Sequence, residues 1–169
     1  YKHNGGETTA DEFTFTVKDP DQASSAAGKF KITVEKVNDL PTITNNKLTV
    51  KESSTDTVIS KSYLAATDAD VAQAAKDLEY TVTVLPVNGK LRLNSNDLVK
   101  DGKFTQDDID NSLVTYTHDD SENHSDTFTF TLSDDAGGEL KDQTFSITVK
   151  NVNDAPTITR PNSQTDPLT

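Results

Sequence analysis

Acids and asparagines recur in this chain at a fixed spacing, and they are its best candidates for chemistry. Residues 1–44 align with residues 116–159 without a gap at an offset of 115, and 20 of the 44 positions are identical. The copied positions include Glu7 and Glu122, Asp19 and Asp134, and the pairs Asn38-Asp39 and Asn153-Asp154. Carboxylates and amide carbonyls are hard oxygen ligands, and Ca²⁺ takes about six to eight of them at roughly 2.3–2.6 Å. A single loop can supply such a set, but Asp108–Asn111 lacks the glycine and the spacing of the EF-hand loop, and no glycine-rich nonapeptide repeat is present. The remaining route is convergence of ligands from the end of one module, a connector and the tip of the next. Carboxylates gathered in that way repel one another unless a cation neutralises them. The competing reading is turn chemistry, because Asp and Asn bond locally to the backbone. For any single Asp taken alone, that is the better reading.

Composition narrows the partners. The chain has 169 residues, 28 acidic against 16 basic, and a formal charge of −12. Such a balance disfavours nucleic acid and anionic membrane, and it favours cations. There is no Cys, Trp or Met, so no disulfide framework holds the fold. No apolar run approaches the roughly 18 residues of a membrane span.

The elements that must position the acids are strands. Apolar residues alternate with Thr and charged residues at Phe13, Phe15, Val17; at Phe30, Ile32, Val34; at Leu78, Tyr80, Val82, Val84; at Val114, Tyr116, His118; at Phe128, Phe130, Leu132; and at Phe145, Ile147, Val149. A period of two marks half-buried strands. Leu91 and Leu93 are expected to follow an Asn88-Gly89 turn, and Leu48 and Val50 to open the module. About seven short strands in a 115-residue period predict an all-β, immunoglobulin-like antiparallel β-sandwich, repeated along the chain. Ala65–Lys76 is expected to hold a helical turn or a loop, and Thr105 to cap one short helical turn ahead of Asp108. The proline-bearing stretches Val37–Pro41 and Val152–Pro156 read as stiff connectors. The expected domains are therefore the end of a preceding repeat over 1–41, a complete repeat over 42–156, and the start of a next repeat or a tail over 157–169. Residues 1–41 bury too little surface to stand alone. They are expected to pack on the complete module or, less readily, to exchange with Tyr116–Pro156 between molecules.

Three strings carry a family resemblance: Phe104-Thr105-Gln106-Asp107-Asp108-Ile109, Val114-Thr115-Tyr116-Thr117-His118-Asp119-Asp120-Ser121-Glu122, and Asp126-Thr127-Phe128-Thr129-Phe130-Thr131. Together they closely resemble the chondroitin-sulfate-proteoglycan-type repeat, a cadherin-like module of matrix proteins and large surface adhesins. The resemblance implies a cadherin-like sandwich with Ca²⁺ at the junctions. On it, Asp120-Ser121-Glu122 is similar to the Asp-Arg-Glu motif of cadherins, Asn38-Asp39 to their connector, and Asp68-Ala69-Asp70 to their Asp-x-Asp pair. Asp134 resembles their lone strand-end Asp, and Glu52 their early Glu. One junction then combines Glu7, Asn38, Asp39, Asp68, Asp70 and Asp134. A second starts with Glu52, Asp120, Glu122, Asn153 and Asp154. Gly5 stands where the second copy has Asp120, so the first junction has one acid fewer.

No catalytic pattern competes. His118, Asp119 and Ser121 are sequence neighbours without a nucleophile elbow, and three histidines without cysteine give no zinc spacing. The sequence reads as no enzyme but a calcium-binding extender repeat of an extracellular, multi-repeat surface protein, with a bacterial adhesin as the expected parent. Its expected partners are adjacent repeats of the same chain, with homotypic or host and matrix contacts beside them, and neither nucleic acid nor membrane insertion. The alternative is a direct binding module for carbohydrate or protein. The absence of Trp and the presence of only four Tyr disfavour a carbohydrate platform.

Overall fold

In the computed structural model, which describes residues 1–70 and 74–156, the alternating segments form strands that segregate into three sheets. Strands β1 (Ala10–Phe15) and β2 (Gly28–Thr33) make a hairpin of their own. The two larger sheets form a module that begins with β3 (Thr42–Lys51), β4 (Thr57–Val58) and β5 (Leu64–Thr67). A 3-10 turn at Ala75–Asp77 then leads to β6 (Glu79–Val84) and β7 (Gly89–Leu93). Next come β8 (Asn96–Asp97), β9 (Lys103–Thr105), the helix α1 (Gln106–Asp110) and β10 (Val114–His118). Strands β11 (Ser125–Ser133) and β12 (Glu139–Lys150) finish it.

One sheet has the order β5-β3-β12-β11-β6-β9 and the other β4-β10-β7-β8. Every pairing is antiparallel except β3 with β12, which run parallel from Lys47 opposite Ser146 to Lys51 opposite Lys150. Tyr80, Val82, Phe128, Phe130, Leu132, Phe145 and Ile147 from the larger sheet share one core with Leu91, Val114 and Tyr116 from the smaller. Burying each such side chain contributes about 1.5–3 kcal/mol, which is how a module without disulfides holds together.

Three local expectations meet different outcomes. Thr105 caps α1: its Oγ1 accepts from the Asp108 amide at 3.1 Å, while the Asp108 carboxylate accepts from the Thr105 amide at 2.8 Å. Within Ala65–Lys76, residues 65–67 belong to β5, residues 75–77 form the 3-10 turn, and 71–73 lie outside the described residues. Asn88-Gly89 does not close a hairpin. Strand β6 pairs with β11 and β9, whereas β7 pairs with β10 and β8 in the other sheet. The reason is a buried carboxylate: Asp126 accepts from the Val87 and Asn88 amides, both at 3.0 Å, and steers the chain across the sandwich. Gly89 is required there, since a Cβ would lie 2.4 Å from the Thr117 carbonyl oxygen.

The hairpin copies the last two strands of the module but not their burial. Phe13 faces Phe30 across β1 and β2 as Phe128 faces Phe145 across β11 and β12, with ring centroids 5.2 and 4.9 Å apart. Phe128, Phe130 and Phe145 are fully buried, while Phe13, Phe15 and Phe30 remain about half exposed. The hairpin of β1 and β2 therefore pairs only with itself and leaves its aromatic face open, while Asn38 and Asp39 after it bond to Asp134 and Asp70.

Candidate cation sites at the two poles of the module

The parallel pairing of β3 with β12 decides where the acids go. Both strands leave the sandwich at the same pole, so Glu52, just after β3, meets the connector that follows β12. The Glu52 amide donates to the Lys150 carbonyl at 2.9 Å, and the His118 amide at the end of β10 donates to the Ser54 carbonyl at 2.9 Å. Residues 51–54, 118–124 and 150–154 thus converge.

Three carboxylates collect there. One oxygen from each of Glu52, Glu122 and Asp154 lies within 4.8 Å of the other two, the only group of three such ligand residues among the described residues. That span suits oxygens arranged around one Ca²⁺, which are separated by up to about 5 Å across the ion. Glu52 is 3% exposed. Its Oε2 accepts from the Val152 amide at 2.9 Å, while its Oε1 is buried without a hydrogen bond. A buried, half-satisfied carboxylate is costly unless a cation completes it. The negative charge of Glu52 is the main cause holding the Glu122 carboxyl above its ordinary range, with burial and Asp154 adding to it. The residues present fit a hard divalent cation.

Asp120 and Asn153 flank the trio. Asp120 has φ of 71°, and its amide donates to His118 Nδ1 at 3.2 Å. The first repeat copies this turn, with Gly5 at φ 82° donating to His3 Nδ1 at 3.3 Å. The Asp120 carboxylate contacts the Ser53 hydroxyl. Asn153 turns its Nδ2 to the Asp154 carbonyl at 3.2 Å, as Asn38 does to the Asp39 carbonyl at 3.0 Å.

At the opposite pole the connector docks by direct bonds. Asn38 Nδ2 donates to Asp134 Oδ2 at 3.0 Å, and the Asp39 amide to Asp70 Oδ2 at 2.9 Å. Asp68 Oδ1 accepts from the Asp70 amide at 2.8 Å, leaving Oδ2 buried and unpartnered. Asp134 Oδ1 accepts from the Ala136 and Gly138 amides. Burial pushes its carboxyl up, but the bonds from Asn38, Gly138 and Ala136 outweigh it, and the net displacement is downward. Gly138 is needed for this approach, because a Cβ would fall 2.2 Å from Asp134 Oδ2. Of the six residues expected at this junction, the structure links Asn38 to Asp134 and Asp39 to Asp70 with Asp68, while Glu7 pairs with Lys36 at 3.4 Å.

Sequence reasoning missed Asp126. It is 5% exposed and accepts from the Tyr116 hydroxyl at 2.8 Å. The first repeat gives the same bond from Tyr1 to Asp11 at 3.0 Å. The signal was available, since both pairs sit at copied positions; without the fold, nothing tied a tyrosine to an acid ten residues on.

Residues 41–149 match the family described as Cadherin-like. The chain is 33% identical over 129 residues to human FRAS1-related extracellular matrix protein 2, covering 76% of this chain and 4% of that protein. It is 35% identical over 138 residues to human extracellular matrix organizing protein FRAS1, covering 79% and 3%. To human chondroitin sulfate proteoglycan 4 it is 34% identical over 122 residues, covering 70% and 5%. The chain thus spans only a small fraction of each of these relatives. With a two-sheet β module matched over nearly its full length, the chain belongs to the Cadherin-like family.

Proposed function

We propose that residues 42–156 form one repeat of an extended extracellular protein, that residues 1–41 end the repeat before it, and that Ca²⁺ bound at the repeat junctions stiffens the array. The observation that carries the calcium reading is Glu52: a buried carboxylate with one oxygen unpartnered, beside Glu122 and Asp154. Asp120 stands next to them on the Ser53 side, and Asn153 adds a side-chain carbonyl to the connector. Further oxygens would come from water and from the Asp68-Ala69-Asp70 counterpart of a following repeat. The placement of Asp39 against Asp70 and of Asn38 against Asp134 supports a docking mode in which each connector lies on the next module. Strand β3 has ten residues and at about 3.3 Å per residue spans roughly 33 Å, which supports a rod-like spacer with chemistry at its ends. The relatives bear the names of matrix proteins and a proteoglycan, which supports an extracellular repeat and gives no support to a bacterial surface in particular.

Extracellular modules bind Ca²⁺ at about 10⁻⁴–10⁻³ M. A site with a dissociation constant tenfold below ambient calcium adds about 1.4 kcal/mol. Thermal unfolding in Ca²⁺, Mg²⁺ and EDTA tests the proposal: melting should rise in millimolar Ca²⁺, and Glu52→Gln should abolish most of the rise. An equal melting temperature in Ca²⁺ and EDTA contradicts it.

A further inference from the structure

The outer face of the six-stranded sheet has a charge opposite to that of the chain. Strands β3 and β12 run parallel and in phase, so Lys47, Thr49 and Lys51 stand beside Ser146, Thr148 and Lys150. Strand β11 continues the rows, with Ser125 beside Thr148 and Thr127 beside Ser146. Over residues 47–51, 144–150 and 125–133 every outward side chain is a lysine or a hydroxyl, and Lys47, Lys51 and Lys150 are the only charges among them. Elsewhere in the module Lys76, Lys90, Arg92, Lys103 and Lys141 each pair with an acid, whereas these three lysines have no such partner among the described residues. Acids border the face without entering it: Asp142 precedes Thr144 on β12, and Glu122 and Asp154 lie at the pole beyond Lys150. At the end away from that pole, Lys47 opens onto a concavity of about 300 Å³ lined by Thr49, Ser62, Tyr63 and Thr148. The Lys47 amide donates to the Tyr63 carbonyl at 2.9 Å, which holds the half-exposed Tyr63 along one side of it. The hydroxyls of Thr49, Ser146 and Thr148 make no hydrogen bond among the described residues.

We propose that this face binds a polyanionic polysaccharide bearing sulfate or uronate groups, with one sugar seated in the Lys47 concavity and further anions met by Lys51 and Lys150. An ammonium is a compact point charge suited to sulfate or carboxylate, and unpaired hydroxyls both donate to and accept from sugar hydroxyls. Four residues along β3 set Lys47 and Lys51 about 13 Å apart, a span that a chain of linked anions covers and a single small anion does not. The concavity is of the size of a small ligand cleft, about 300 Å³. Charge complementarity also fixes the place, because a polyanion is repelled over the rest of a surface whose net charge is −12. The acids at the pole adjoin Lys51 and Lys150, so the Lys47 end carries most of the attraction. Tyr63 gives the sugar one apolar side, and recognition by charge needs no tryptophan platform. A single-stranded nucleic acid would need a series of aromatic platforms for its bases, and Tyr63 stands alone there. The binding is independent of the calcium reading.

The test is amide NMR on the full chain in EDTA, titrated with a heparin-derived hexasaccharide. Shifts should appear at residues 47–51, 61–64 and 146–150 and be absent at 90–92 and 115–117 on the smaller sheet. Raising NaCl from about 50 to about 500 mM should weaken binding about tenfold, since exposed charges are screened. Lys47→Gln should weaken it about two- to fivefold, as expected for one exposed ion pair. Adding Lys51→Gln should bring the loss to about tenfold, because sites this far apart act nearly additively. Lys90→Gln, on the smaller sheet, should leave affinity within about twofold. All three lysines replaced are exposed, so melting curves should match wild type. Two further probes identify the ligand. Maltohexaose, which is neutral, should give no shifts; equal binding would overturn the role of charge. A polyglutamate peptide of the same charge should bind more weakly; equal binding would overturn the polysaccharide in favour of an acidic protein segment. Absence of shifts at millimolar hexasaccharide, or shifts that the double variant leaves intact, would overturn the proposal outright.

Discussion

At the scale of single residues, the two copies act as each other's control. Asp120 occupies a left-handed backbone position that glycine adopts freely, and the first repeat has Gly5 there. Asp120→Gly should therefore leave the metal-free protein as stable or raise it by up to about 1 kcal/mol, while weakening calcium binding several-fold; calorimetric titration and melting in EDTA check the two signs separately. Glu122 gives a pH test. Its folded-state carboxyl titrates above its ordinary value of 4.5 because Glu52 repels its charge. The metal-free fold thus binds that proton more tightly than the unfolded chain does, and stability falls as pH rises from about 4.5 through the raised value. Calcium competes with the same proton, so its affinity should climb over that interval. Melting curves at stepped pH, with and without Ca²⁺, should slope in opposite directions there. Glu122 and Asp154 were legible in the sequence because an offset of 115 marks them twice, whereas Glu52, Asp68 and Asp70 lie outside the copied stretches and were read from the family resemblance. The pairing of Lys36 with Glu7 was not legible, because it lies in a distance between segments of the fold.

At the scale of elements, equal sequences have unequal environments. Phe15 and Phe130 are equivalent, yet one is 46% exposed and the other fully buried. Phe130→Ala should cost about 3–5 kcal/mol by denaturant unfolding, whereas Phe15→Ala should cost under about 1 kcal/mol. Similar costs at both positions would mean that the hairpin face is covered in solution. Period-two alternation made the strands readable, including β6, β10, β11 and β12. It could not assign them to sheets, because alternation names the buried face and not the neighbour. Hence Asn88-Gly89 read as a hairpin turn although Asp126 bonds the preceding amides and sends β7 to the other sheet. The parallel match of β3 with β12, which brings Glu52 to Asp154, likewise depends on topology beyond any local pattern.

At the scale of the whole molecule, the connector is part of the module it enters. Asn38 donates to Asp134, whose carboxyl is held below its ordinary value of 3.8. A depressed carboxyl contributes stability above its unfolded value and loses it as pH falls through the folded one. Asn38→Ala removes one donor, so acid unfolding followed by circular dichroism should begin at a higher pH than in wild type. An unchanged acid midpoint would make the Asn38 bond incidental. At the other pole, β3, β10 and β12 deliver Glu52, Glu122 and Asp154 to one point, where the cation would bind. Calorimetric titration of the chelator-treated chain with CaCl₂, beside Glu52→Gln and Glu122→Gln, addresses this most directly. Binding is expected at about 10⁻⁴–10⁻³ M and should weaken at least tenfold in each variant. Absence of binding, or binding that both variants leave intact, would contradict it.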